Sequence, residues 1–118
     1  MKSYQVLSLI ETSNRYMRII IMYDISTSDD NMIKEYNKFR QELLKLGYFM
    51  IQYSIYVKCL TAHTQYQYEK QKILKVIPSD SNIRIMLITE SQYQNIELLS
   101  GKKSLNEIYN NNERYIKF

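Results

Sequence analysis

Between Met17 and Asp24 the chain reads Met-Arg-Ile-Ile-Ile-Met-Tyr-Asp, with six of eight residues apolar or aromatic and three Ile in a row. A continuous β-branched run of this length predicts a strand buried on both faces. The strand ends on Asp24, and Ile25-Ser26-Thr27-Ser28 turns the chain towards a helix. A carboxylate is thereby anchored where a rigid central strand stops.

From Ser28 to Leu46 the period changes. Met32, Tyr36, Phe39, Leu43 and Leu46 recur at spacings of four and three, which is one apolar stripe along a helix. Thr27 or Ser28 can cap its first turn, Asp29 and Asp30 suit its positive end, and Gly47 can end it. Lys34, Lys38, Glu42 and Lys45 form the opposite, solvated face.

Phe49 to Leu60 alternates without interruption. Phe49, Ile51, Tyr53, Ile55, Val57 and Cys59 point one way, and Met50, Gln52, Ser54, Tyr56 and Lys58 the other. No Gly, Pro, Asn or Asp marks a turn inside it, so the pattern predicts one long strand. His63 to Ile77 predicts a second helix, with Tyr66, Lys70, Ile73 and Ile77 on one face, broken by Pro78-Ser79-Asp80-Ser81-Asn82. Ile83 to Thr89 predicts a strand inside the sheet, because both of its faces are apolar near the end. Tyr93 to Leu99 predicts a short edge strand. A helical turn over Leu105 to Tyr109 and the polar Asn110-Asn111-Asn112 follow.

This order predicts an α+β sandwich of ferredoxin-like β-α-β-β-α-β type with a short extra C-terminal strand. Its first and last major strands lie side by side at the sheet centre. The domain is expected over residues 17–103, with an N-terminal extension over 1–16 and a tail over 104–118. Tyr, Met and Ile would line much of the sheet face that helices leave open, which favours a homodimer.

Length and composition narrow the classes. The 118 residues suit one domain, and one cysteine, Cys59, excludes an internal disulfide and a thiolate zinc cluster. Sixteen Lys and Arg against twelve Asp and Glu give a net charge of +4, compatible with a polyanionic partner. Without a run of about twenty apolar residues or a secretory pattern, a cytoplasmic protein with no membrane partner is expected. Twelve Tyr and nine Asn against one Ala and two Gly are explained by A/T-rich coding, without a tyrosine recognition surface.

Asp24 is the candidate for chemistry. It either caps a turn after the strand or serves as a hard oxygen ligand for Mg²⁺ or Mn²⁺. One carboxylate is a poor site, but a two-fold axis beside the strand end supplies a second Asp24. Nothing competes with it: His63 has no carboxylate near it in sequence, Cys59 lies on an apolar face, and no glycine-rich phosphate loop is present. Arg18, Lys38, Arg40 and Lys45, with Arg15, Lys34, Lys58, Arg84, Lys102 and Lys103, can form a phosphate-tracking surface once two copies face one duplex.

Met17 to Thr27, Tyr36 to Tyr48 and Met50 to Tyr56, followed by Ile83-Arg84-Ile85, Thr89 to Tyr93 and Gly101, resemble the CRISPR-associated family Cas2. The resemblance implies a ferredoxin-like homodimer in which Gly47 to Leu60 supplies two strands. It implies that Asp24 matches the family's metal-binding aspartate, one from each protomer. It implies a Mg²⁺-dependent endonuclease acting on RNA or double-stranded DNA. For that chemistry Arg40 or Arg18 is expected to neutralise charge on the phosphate. It also implies a bridge between two Cas1 integrase dimers in spacer acquisition. An architectural DNA-binding adaptor with a silent Asp24, or a stand-alone ribonuclease toxin of similar fold, are the competing readings.

Overall fold

The isoleucine run lies on an inner strand, as its two-sided apolar character demands. In the computed structural model, which describes residues 16–105 and 107–108, β1 spans Met17–Ile25 and Ile19, Ile20 and Ile21 are all buried. The chain continues through α1 (Asp30–Lys45), β2 (Phe49–Gln52), β3 (Ile55–Leu60), a 3₁₀ turn (His63–Gln65), α2 (Tyr66–Leu74), β4 (Ser81–Thr89) and α3 (Glu90–Gln94). The four strands form one antiparallel sheet in the order β2-β3-β1-β4. The molecule is thus α+β. Among the described residues, no helix is long and apolar enough to cross a membrane.

Alternation along β1 divides the core. Ile19, Ile21, Tyr23 and Ile25 pack with Phe39 and Leu43 of α1 and Ile73 of α2. Ile20 points to the other face, where it meets Phe49, Val57 and Tyr93. Each fully buried Ile contributes roughly 1.5–3 kcal/mol through its apolar area. Helix α1 begins two residues later than the stripe suggested, because Asp29 is its cap and accepts from the Met32 N–H at 2.9 Å. Gly47, at φ +95°, ends it in the left-handed region.

Four expectations are corrected. Phe49 to Leu60 is two strands: Tyr53 and Ser54 form a tight turn, with Ser54 at φ +62°. Strand β4 lies beside β1 but at the sheet's edge rather than its centre, and Asn82, Arg84 and Met86 on its second face are exposed. Ile88, which suggested an interior strand, is covered by α3. No strand follows β4 among the described residues; Tyr93 sits in α3, which begins with a capping box between Thr89 and Gln92. Helix α2 ends at Leu74 and leaves Ile77 outside it.

Almost all of the extension over 1–16 and most of the tail over 104–118 lie outside the described residues. Within the tail, the Ile108 N–H donates to the Ser104 carbonyl at 3.0 Å, the expected helical turn.

Candidate functional site

The same alternation that buries Ile19 and Ile21 sends Arg18, Ile20, Met22 and Asp24 to the face away from α1 and α2. Their neighbours are fixed by register: Arg18 lies between Cys59 and Ile88, Ile20 between Val57 and Met86, and Met22 between Ile55 and Arg84. Asp24 pairs with Asn82. It is exposed, and its carboxylate has no hydrogen bond or ion pair among the described residues. The turn after it is held by the Ser28 N–H donating to Ser26 Oγ at 3.4 Å, so Asp24 is not the turn's cap.

At the other end of this face lies a group that the sequence concealed. Arg18 is fully buried, and its guanidinium grips the Glu90 carboxylate with both prongs, Nη2 donating to Oε1 at 2.9 Å and Nε to Oε2. The guanidinium also lies 4.2 Å from the centre of the Tyr93 ring. Burial works against its charge, but Glu90 outweighs this and raises the Arg18 pKa. Arg18 is therefore not a surface cation for phosphate; it ties β1 to α3.

Lys38, Arg40 and Lys45 are exposed but do not share one face of α1. Lys38 and Lys45, seven residues apart on α1, share the face opposite the buried stripe, and Lys45 is engaged with Glu42 at 3.6 Å. Arg40 lies at the edge of that stripe, where its Nε donates to the Tyr56 hydroxyl at 3.1 Å. Lys38 lines a groove with Glu35 and Glu42, which offset its charge.

Around the end of β1 the tyrosines gather. The Tyr23 ring packs edge-on against Phe39 at 5.0 Å and lies 5.7 Å from Tyr36 and 5.8 Å from Tyr56. Burial first, and then the neighbouring Tyr56 and Tyr36, push its hydroxyl well above the usual phenol range. Tyr36 in turn stacks on Tyr53 at 6.0 Å. For Tyr36, burial is outweighed by the Ser54 hydroxyl, the neighbouring Tyr53 and Tyr23 and the charge of Arg40, so its pKa is lowered. The signal for this cluster was present in the skewed tyrosine count and in the placement of Tyr36 on the apolar stripe.

Asp24 is a hard, accessible and uncommitted oxygen donor, the kind Mg²⁺ prefers. Among the described residues no group of three or more His, Cys, Asp or Glu could hold a metal. Among the described residues one chain thus offers a single carboxylate ligand at this position.

The family model for "CRISPR associated protein Cas2" matches residues 17–96. The chain belongs to the Cas2 family. It is 36% identical over 98 residues to the CRISPR-associated endoribonuclease Cas2 of Campylobacter jejuni, covering 83% of this chain and 68% of that protein. To the protein of the same name from Ligilactobacillus salivarius it is 35% identical over 100 residues, covering 85% of this chain and 98% of that one. The crystal structure of Streptococcus pyogenes Cas2 superposes with a TM-score of 0.53 at 19% identity, over 70% of this chain and 99% of that one, a likeness of fold. The Cas2 match begins at the first residue of β1 and ends two residues after α3, so it contains Asp24, the tyrosine cluster and the Arg18–Glu90 pair.

A second buried carboxylate in this Cas2 chain is structural. Glu69 on α2 accepts from Lys58 Nζ at 2.8 Å, Lys72 Nζ at 2.7 Å and the Tyr48 hydroxyl at 3.3 Å. Lys58 Nζ also donates to the Leu46 carbonyl at 2.7 Å, satisfying the C-terminal end of α1. Burial alone would raise the Glu69 pKa; Lys58 and Lys72 outweigh it and hold the carboxyl below its usual range.

Proposed function

We propose that this protein is a Mg²⁺-dependent endonuclease subunit of a CRISPR system, active as a homodimer of ferredoxin-like protomers, that hydrolyses phosphodiester bonds at a site shared between two copies of Asp24. The observation that carries the reading is Asp24 itself, an exposed and uncommitted carboxylate held by an inner strand. Relatives named endoribonuclease support RNA as substrate, and the net positive charge suits RNA or double-stranded DNA. The element order and the strand order β2-β3-β1-β4 support the ferredoxin-like assignment. Partly exposed Met22, Ile55 and Met86 on the face of Asp24 support a second copy as its cover.

The Asp24 carboxylates of two copies would hold Mg²⁺, or Mn²⁺ in its place, which would supply positive charge to a phosphoryl oxygen and make water more acidic. The chain's own part is to fix the carboxylate. Ile25 and Tyr23, buried on either side of Asp24, anchor the backbone so that its position does not depend on a loop. In the cell, the dimer holds a nucleic-acid duplex in the cytoplasm and bridges Cas1 integrase dimers during spacer acquisition.

Asp24→Ala tests the chemistry. Cleavage by the purified protein is expected to require Mg²⁺ and to disappear in this variant with its circular dichroism unchanged; equal cleavage by both proteins removes Asp24 from the mechanism. A second, purely architectural role is the alternative, since one carboxylate per chain makes a poor metal site by itself. That reading expects integration with the Cas1 partner to survive Asp24→Ala and to fail when Lys38, Arg40 and Lys45 are neutralised together.

A further inference from the structure

We propose that Tyr53, backed by Tyr36, is a stacking platform for an unpaired nucleobase at the Asp24 end of β1, with Arg40 placed to meet a phosphate of the same strand. This rests on the nucleic-acid reading above and adds the form of nucleic acid that the strand end accepts.

An exposed ring in a turn is ordinarily free to rotate; this one is held. Tyr53 is 73% exposed, yet one face of its ring stacks on Tyr36 at 6.0 Å and 22°. Tyr36 leads through Tyr23 to buried Phe39, so a continuous series of rings runs from solvent to core. The turn is fixed as well: Ser54 adopts φ +62°, its carbonyl accepts from the Tyr23 N–H at 3.1 Å, and its hydroxyl lies 3.5 Å from that of Tyr36. Because Met22 pairs with Ile55 and Tyr23 bonds to Ser54, the next residue along, Tyr53, stands at the level of Asp24.

The surroundings identify the occupant. Gln52 and Arg40 are exposed, so the open ring face is flanked by polar groups that can meet the sugar and phosphate of a nucleotide. Arg40 spends Nε on the Tyr56 hydroxyl, which orients the guanidinium and leaves its terminal N–H groups for an anion. A flat ring with one open face and a fixed cation suit a splayed nucleotide, since every base offers a π-face. Bases inside a duplex are stacked on one another and have no face to offer.

The test is fluorescence anisotropy of the full chain in EDTA, using a labelled mixed-sequence RNA of about 15 nucleotides and a blunt DNA duplex. Tyr53→Ala and Tyr53→Leu, the latter keeping a packing group over Tyr36, are each expected to weaken RNA binding about tenfold, while Tyr53→Phe stays within about twofold. Duplex affinity is expected to be unchanged in all three. Wild-type affinity for RNA in Tyr53→Leu, an equal loss on the duplex, or a loss in Tyr53→Phe each overturns the platform while leaving nucleic-acid binding in place. Failure of the wild-type chain to bind either probe overturns both readings.

Discussion

Arg18 and Asp24 are charges on the same face of the same strand, separated by about 20 Å of extended chain. At Arg18 the face is closed. Helix α3 lies over it, the Glu90 carboxylate neutralises the guanidinium, and the Glu90 N–H donates to the Tyr16 carbonyl at 3.0 Å. At Asp24 the face is open, with neither cation nor donor on the carboxylate among the described residues. The two ends contrast within one strand: a buried charge must be paired to be tolerated at all, whereas an exposed carboxylate keeps its hydration and needs no internal partner.

This contrast is easiest to break at the closed end. Arg18→Ala leaves the buried Glu90 carboxylate without its countercharge, although Gln94 Nε2 still donates to it at 3.0 Å, and is expected to cost about 3–5 kcal/mol, a large share of a small domain's stability, read from urea unfolding. Replacing both partners, Arg18→Met with Glu90→Leu, is expected to recover most of that loss, because an apolar pair has no charge to desolvate. A single variant as stable as the double would show that the ion pair is not what holds α3.

Glu69 extends the comparison to a second buried carboxylate. Glu69→Gln is expected to cost about 1–3 kcal/mol, since Lys58 and Lys72 lose a charged acceptor. Its pH signature has a definite sign. A carboxyl held below its ordinary value of 4.5 stabilises the fold at pH above that value, and the contribution disappears as the pH falls through the lower folded-state value. Acid unfolding of the wild type below about pH 4.5 should therefore be steeper than that of Glu69→Gln, as followed by circular dichroism.

Smaller changes sharpen the picture. Tyr93→Leu keeps an apolar contact with Ile20 but removes the ring beneath Arg18, at an expected cost of about 0.5–2 kcal/mol in urea unfolding. Asp24→Asn should leave the urea midpoint where it is while abolishing cleavage. A shifted midpoint would mean that the open end is structural after all.

Much of this architecture is legible in the residues, and the misreadings share a cause. The isoleucine run and the stripe through Phe39 and Leu43 are local patterns whose burial follows directly. Alternation through Phe49 to Val57 correctly places Phe49, Ile51, Ile55 and Val57 on one face, even across the turn. The turn itself escaped notice because Ser54 adopts a left-handed conformation usually left to Gly or Asn. Helix α3 was readable in Thr89-x-x-Gln92, a capping box that the alternating look of Tyr93 to Leu99 obscured. Arg18 was misread because an arginine's partner lies 72 residues away, and charge alone says nothing of burial. Asp24 stood out through its position, and so did the family resemblance that surrounds it.

Thr89 is both the last residue of β4 and the cap of α3, so the edge strand passes into the helix with no linker. The junction has no slack. One inserted residue would rotate the helix start by about 100° and swing the Glu90 carboxylate off its guanidinium. Length variation is therefore affordable after Gln94 but not between Thr89 and Glu90, where the chain can exchange side chains but cannot change its count.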